Sequence, residues 1–374
     1  MDKKRTILLT AVLPLFLAGC INDEYRYPLR DVIKFSAKVD NVSLVSNTRT
    51  SYTDVSFTEF NVTALGDAAS YFQNLKVTKQ SDGSWQTATT KYWPAYPLRF
   101  LGYAPISLQS KANIGISEQK LTGYTVVSEA ASQDDIVTAY VKAGQSSASG
   151  AAILGFHHAL SQIEVVAKNG SPNDYTIEVL GVKICQIPST ADLTFQTDPD
   201  AAPVWSAASA PKDYIIKGSY PLTLTSTPQS IMFGSNNFLL VPQGLVPWSA
   251  GATANGAYIS VLCRIKDKLG NLVYPTDASK FGFAAMPISE TWQSQHKYTY
   301  TLAFYTNGGG AGRIDPSPSN PENPSDVNVD TTPGGPGKQG GDIVTPDSQV
   351  PITMTVSISD WVVGAGDNID LDFY

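Results

Sequence analysis

Histidine and cysteine are scarce, three of each in the chain, and none stands at the spacing of a zinc site. No metal and no cofactor are expected. Basic runs are missing outside Lys3, Lys4 and Arg5, and the net charge is −7; phosphate binding needs concentrated Lys and Arg, so a nucleic-acid partner is disfavoured. There is no Gly-x-Ser-x-Gly elbow, and Gly308-Gly309-Gly310 lacks the Lys-Thr/Ser of a phosphate loop. Asp134 and Asp135 are adjacent, so on a strand they point to opposite faces and cannot share acid/base work. No enzyme is expected. Charged residues make up 16% of the chain, against about 25% in an average globular protein. Their place is taken by Ser, Thr, Tyr and Gly, a composition suited to strands.

One long apolar run exists, Ile7 to Leu17. It is too short to cross a bilayer, which takes about 20 residues. It follows the basic n-region and runs into Leu17-Ala18-Gly19-Cys20, a lipobox. This combination is read as an export signal cut before Cys20, whose thiol carries acyl chains. Each buried methylene contributes about 0.8 kcal/mol, so several chains anchor the protein on a membrane. Cleavage removes three basic residues and Asp2, taking the net charge from −7 to −9.

After a polar tether, Ile33, Phe35, Ala37 and Val39 alternate with Lys34, Ser36, Lys38 and Asp40, the period-two signature of a half-buried strand. Further strands are expected at Ile163 to Lys168, Thr176 to Ile184, Tyr258 to Lys266 and Tyr298 to Tyr305, with a hairpin loop at Gly270 and Asn271. No helical period of useful length occurs, and the chain reads as all-β. Cys185 and Cys263 lie in strand-like runs, either as buried free thiols or as a disulfide. His157 and His158 precede an apolar alternation and read as structural; His296 lies in a polar turn.

Residues 307–350 hold nine Gly and seven Pro and no aromatic side chain, too little apolar surface to order themselves. Such a leash spans about 35 to 40 Å. Beyond it, Ile352, Met354, Val356 and Ile358 face one way and Thr353, Thr355, Ser357 and Ser359 the other. A strand of this kind needs a sheet to join.

Five motifs resemble the fimbrillins that build type V pili on Bacteroidales-type bacteria. They are Tyr92-Trp93-Pro94 with Leu98 to Pro105, Asp135-Ile136-Val137-Thr138-Ala139, Leu154 to Val165 around His157 and His158, His296 to Leu302, and Ile358-Ser359-Asp360-Trp361. The resemblance implies two tandem transthyretin-like β-sandwich domains. The organisation expected is a signal peptide (1–19), a tether (20–30), an N-terminal domain (31–150), a C-terminal domain (151–306), a flexible linker (307–350) and a donor-strand segment (351–374). Asp23 and Glu24 are similar to the acidic surface-export tag of these bacteria, implying a lipid-anchored precursor at the outer membrane and cell surface.

In that family an Arg-specific maturation protease removes the first strand, and another pilin subunit fills the groove. Arg49 and Thr50 would flank the cut, Ile33, Phe35, Ala37 and Val39 would leave with the released strand, and Ile352, Met354, Val356 and Ile358 would line the donor. The other class carried forward is a surface glycan-binding lipoprotein of a nutrient-uptake system. It would stack sugars on Trp205, Trp248 or Trp292, which stand in loop-like contexts. A host or bacterial surface ligand is the remaining partner expected of an adhesive pilus.

Overall fold

In a computed structural model the described residues are 31–39, 52, 56–145, 151–234, 236–248, 256–275, 281–306, 311–315, 343–347 and 350–361. The chain is nearly all β, as its composition and alternation predict. The first strands are β1 (Lys34–Val39), β2 (Glu59–Leu65), β3 (Ser70–Lys79), β4 (Trp85–Thr87) and β5 (Leu98–Ala104). Then come β6 (Ala112–Ile114), β7 (Gln119–Thr125), β8 (Val137–Ala143) and β9 (Ala151–His158).

Seven of these close a barrel in the order β1-β4-β3-β2-β5-β8-β9. Its interior holds Phe57, Phe60, Phe72, Phe100, Phe156 and Trp93, a core dominated by aromatic rings. β6 and β7 leave the barrel and extend a sheet of the second half, where Thr125 pairs with Thr190 and Leu121 with Leu193.

The second half comprises β10 (Ser161–Asn169), β11 (Tyr175–Thr194), β12 (Val204–Trp205), β13 (Ser209–Thr223), β14 (Gln229–Ser230) and β15 (Phe238–Leu240). It continues with β16 (Tyr258–Asp267), β17 (Leu272–Tyr274), β18 (Gly282–Pro287), β19 (His296–Phe304), β20 (Ala311–Asp315), β21 (Ile343–Asp347) and β22 (Ile352–Asp360). One sheet runs β14-β10-β19-β22, with β15 beside β10; the other runs β21-β20-β18-β16-β11-β7-β6. Between them lies a core that takes in Ile163, Val165, Ile177, Ile259, Tyr298 and Tyr300 and continues to Leu65, Leu101 and Tyr103 on β2 and β5.

Local chemistry explains several elements. The turn between β16 and β17 is held by Asp267, whose Oδ1 accepts the N–H groups of Leu269 and Asn271 at 2.9 and 2.8 Å, while Gly270 takes φ +84°. β11 runs for 20 residues because it bends: its ladders shift register at Val179/Gly181 and Ile184/Ile187, and Gln186 sits at φ +62°. Pro188 is tolerated in it because it faces Pro211 of β13, so neither is asked to donate.

Two boundaries differ from the sequence reading. Residues 151–158 form β9, which pairs with β8 and β1, so the pairing places them with the first half rather than the second. The expected linker contains β20 and β21, which pair with each other and through β20 with β18. Alternating period alone does not reveal a Gly- and Pro-rich strand, since no apolar face marks it. Cys185 and Cys263 are buried thiols not joined in a disulfide, and they belong to cores on opposite faces of β11 and β16.

Candidate functional site: the two lateral strands

β1 closes the barrel asymmetrically. On one side a parallel ladder joins Lys34–Val39 to Ala151–Phe156 of β9; on the other a single antiparallel pair, Phe35 with Trp85, reaches β4. Its start is laced to the 91–93 turn, Ile33 N–H donating to Lys91 O at 2.8 Å and Trp93 N–H to Asp31 O at 2.9 Å. The alternation orients it as predicted. Ile33, Phe35 and Val39 are buried, Ala37 packs half-buried on the same core, and Lys34, Ser36 and Lys38 face solvent.

The slot beneath β1 is aromatic. Phe35 meets Phe60 and Phe100 edge-on, with ring centroids 6.3 and 5.6 Å away. Across β5, Phe156 lies where Gly102 carries no side chain; a Cβ there would come within 2.8 Å of the Phe156 ring. At about 1.5 to 3 kcal/mol for each fully buried large side chain, Ile33, Phe35 and Val39 contribute roughly 5 to 9 kcal/mol. A domain's whole stability is about 5 to 15 kcal/mol. An empty slot is therefore hard to sustain.

β22 is the edge strand of its sheet. It pairs antiparallel with β19 over nine positions, from His296 with Asp360 to Phe304 with Ile352. The expected donor segment thus lies in cis, on its own chain. Its apolar face is covered unevenly: Ile352 is fully buried, Met354 and Val356 are half-buried against the main core, and Ile358 is 47% exposed. Both ends are anchored, by Val350 and Ile352 at one and by Trp361 at the other, all buried. Tyr305 N–H donates to Pro351 O at 2.8 Å, and Trp361 N–H to Gln295 O at 2.6 Å.

Trp361 ends in a buried junction. Its ring stacks on His158, the last residue of β9, with centroids 4.2 Å apart and planes at 10°. His158 Nδ1 lies 3.0 Å from Asp135 Oδ1, and Asp135 Oδ2 accepts the Tyr52 N–H at 2.7 Å. Asp135 and His158 are 3% and 2% exposed. Burial first, then the charges of Asp135 and Asp134, raise the Tyr52 phenol above its ordinary value. Sequence reading marked Asp135, His158 and Trp361 separately but did not join them. The signal available was that each sits inside one of the five motifs.

The other candidates separate clearly. Cys20, Arg49 and Thr50 lie outside the described residues. His157 Nε2 bonds Pro199 O at 2.7 Å, and His296 Nδ1 bonds Ser294 O at 2.8 Å. Trp292 is buried, with its indole N–H donating to Tyr300 Oη at 2.8 Å, and Trp248 is buried among Leu180, Tyr258 and Phe281. Neither offers a free ring to a sugar. Trp205 is half-buried, its N–H given to Ala159 O at 2.7 Å, and it lines an open cleft of about 630 Å³ with Asp200, Gln295, His296 and Asp360.

No curated protein sequence matches the chain. Among solved structures, a fimbrial protein from Bacteroides vulgatus is 13% identical, covering 88% of this chain and 99% of its own, with a TM-score of 0.50, which shows a shared fold. A protein from Parabacteroides distasonis, provisionally assigned to cell adhesion, is 12% identical over 83% of this chain and 96% of its own, with a TM-score of 0.49. The family model described as "Fimbrillin-like" matches residues 38–315, a span that begins within β1 and stops before β22. Matched over well more than half its length, the chain belongs to the fimbrillin-like family.

Proposed function

We propose that this fimbrillin-like protein is a structural subunit of a surface pilus with a role in adhesion, not an enzyme, and that it is assembled by exchange of lateral strands. It is made as a precursor anchored through Cys20 to the outer membrane. Cutting between Arg49 and Thr50 by an Arg-specific protease frees the segment containing β1, and the slot then accepts β22 from another subunit. The N-terminal barrel and the C-terminal sandwich act as tandem units, and residues 307–350, which include β20 and β21, connect β19 to β22.

The observation that carries this reading is the lateral attachment of β1: a six-residue ladder on one side, one pair on the other, and a deeply buried apolar face. Such a strand can leave without unthreading the sheet, yet its slot demands a replacement. β22 matches the demand, since Ile352, Met354, Val356 and Ile358 repeat the period of Ile33, Phe35, Ala37 and Val39. In cis, three of its four apolar side chains stay half-covered or exposed. Burying the remainder in the slot would add about 2 to 4 kcal/mol, enough to favour transfer once β1 is gone.

The test is limited trypsin treatment of the purified mature protein beside an Arg49→Ala variant. SDS-resistant ladders from the first and none from the second are expected; equal ladders from the variant would remove Arg49 from the scheme.

A further inference from the structure

Four segments far apart in sequence meet at one buried point. Asp135 precedes β8, His158 ends β9, Trp361 follows β22, and Tyr52 stands three residues beyond Arg49. Asp135 uses both carboxylate oxygens, Oδ1 toward His158 Nδ1 at 3.0 Å and Oδ2 toward Tyr52 N–H at 2.7 Å. The face of the oriented imidazole carries the Trp361 indole at 4.2 Å. His158 Nε2 makes no hydrogen bond among the described residues, so Asp135 alone fixes the ring by hydrogen bonding. Gln295, which receives the Trp361 N–H, holds φ +67°, a conformation rare for a residue with a side chain. Its own N–H donates to Leu160 O at 3.3 Å, just past His158.

We infer that Asp135, His158 and Trp361 form an autoinhibitory clasp that keeps β22 on its own β19, and that Tyr52 couples the clasp to the segment following the Arg49 site. The inference rests on the strand-exchange reading for its purpose, not for its geometry. β22 is an edge strand held by its ladder to β19, and because its apolar face is only partly covered, its side chains hold it chiefly at its anchored ends. Of the two anchors, Trp361 is the one whose stacking partner belongs to the barrel. Withdrawing the Tyr52 N–H leaves Asp135 Oδ2 buried and unpaired, which costs free energy and destabilises the carboxylate that orients the imidazole behind the indole.

Hydrogen exchange of the uncleaved monomer, followed by mass spectrometry, tests this. In Trp361→Ala, amides in residues 353–360 should exchange at least about 100-fold faster, the opening expected for loss of a buried Trp, while those of β11 and β16 keep their protection. Trp361→Phe, which retains a stacking ring, should restore most of it. Tyr52→Pro removes the N–H together with the ring that packs on Phe57, so beside Tyr52→Ala, which loses the ring alone, it should accelerate the same amides at least about tenfold more.

Unchanged exchange in Trp361→Ala overturns the clasp, as does equal acceleration of β16, which would make Trp361 a general core residue. Exchange in Tyr52→Pro no faster than in Tyr52→Ala overturns the coupling. Faster exchange without ladders after cleavage would instead sustain the clasp and sink strand exchange; ladders with unaltered exchange would do the reverse.

Discussion

Phe35 on β1 meets Phe100 on β5 edge to face, with ring centroids 5.6 Å apart and planes at 87°. This contact ties the strand proposed to leave to the floor of the slot it would vacate. It shows why β1 is both detachable and costly to lose: the backbone attachment is mostly to β9, with one pair to β4, whereas the side-chain attachment is deep.

Phe35→Ala should therefore destabilise the precursor by about 3 to 5 kcal/mol. The check is a shift in urea midpoint at unchanged slope. A loss below about 1 kcal/mol would mean that β1 lies on the barrel without completing it.

Val356 should separate folding from assembly. It is half-buried in cis, so Val356→Asp is expected to lower monomer stability by only about 1 to 2 kcal/mol. Against the apolar floor of the slot the same charge should prevent entry. Urea unfolding and SDS-resistant ladders on one preparation measure both; an undiminished ladder would remove β22 as donor.

Alkaline pH probes the core. Burial raises the phenols of Tyr124, Tyr214 and Tyr300 well above their ordinary range. In the folded state they keep protons that the unfolded chain loses near pH 10. The unfolded state then binds fewer protons, and stability falls as pH rises above about 10. Each contributes a slope of about 1.4 kcal/mol per pH unit until it titrates in the folded state. Absorbance at 295 nm should show these tyrosines ionising only together with the loss of near-ultraviolet dichroism. Ionisation ahead of unfolding would contradict their burial.

The sequence made the all-β class legible because side-chain period is a local property. Ile33, Phe35 and Val39 point inward as their alternation requires. Strand partners were not legible, because pairing depends on complementary cores rather than on period. Nothing near Lys34 announces a parallel ladder with β9, nor anything near Gln119 that β7 crosses to β11. The pairing of β9 with β1 and β8 is silent in the sequence for the same reason. On sequence alone Asp135 reads as half of an implausible acid pair and His158 as structural. Their shared junction with Trp361 exists only in three dimensions.

The most direct measurement concerns what occupies the slot of β1. Ile153 on β9 is 60% exposed and pairs with Ser36, so it marks the rim of the slot; Thr355 lies on the polar face of β22. Ile153→Cys and Thr355→Cys subunits, mixed and treated with a short bismaleimide, leave the buried native thiols untouched. The account expects cross-linked dimers of the two variants after cleavage at Arg49 and none before it. Absence of the mixed dimer after complete cleavage, or its formation in uncleaved protein, would contradict strand exchange.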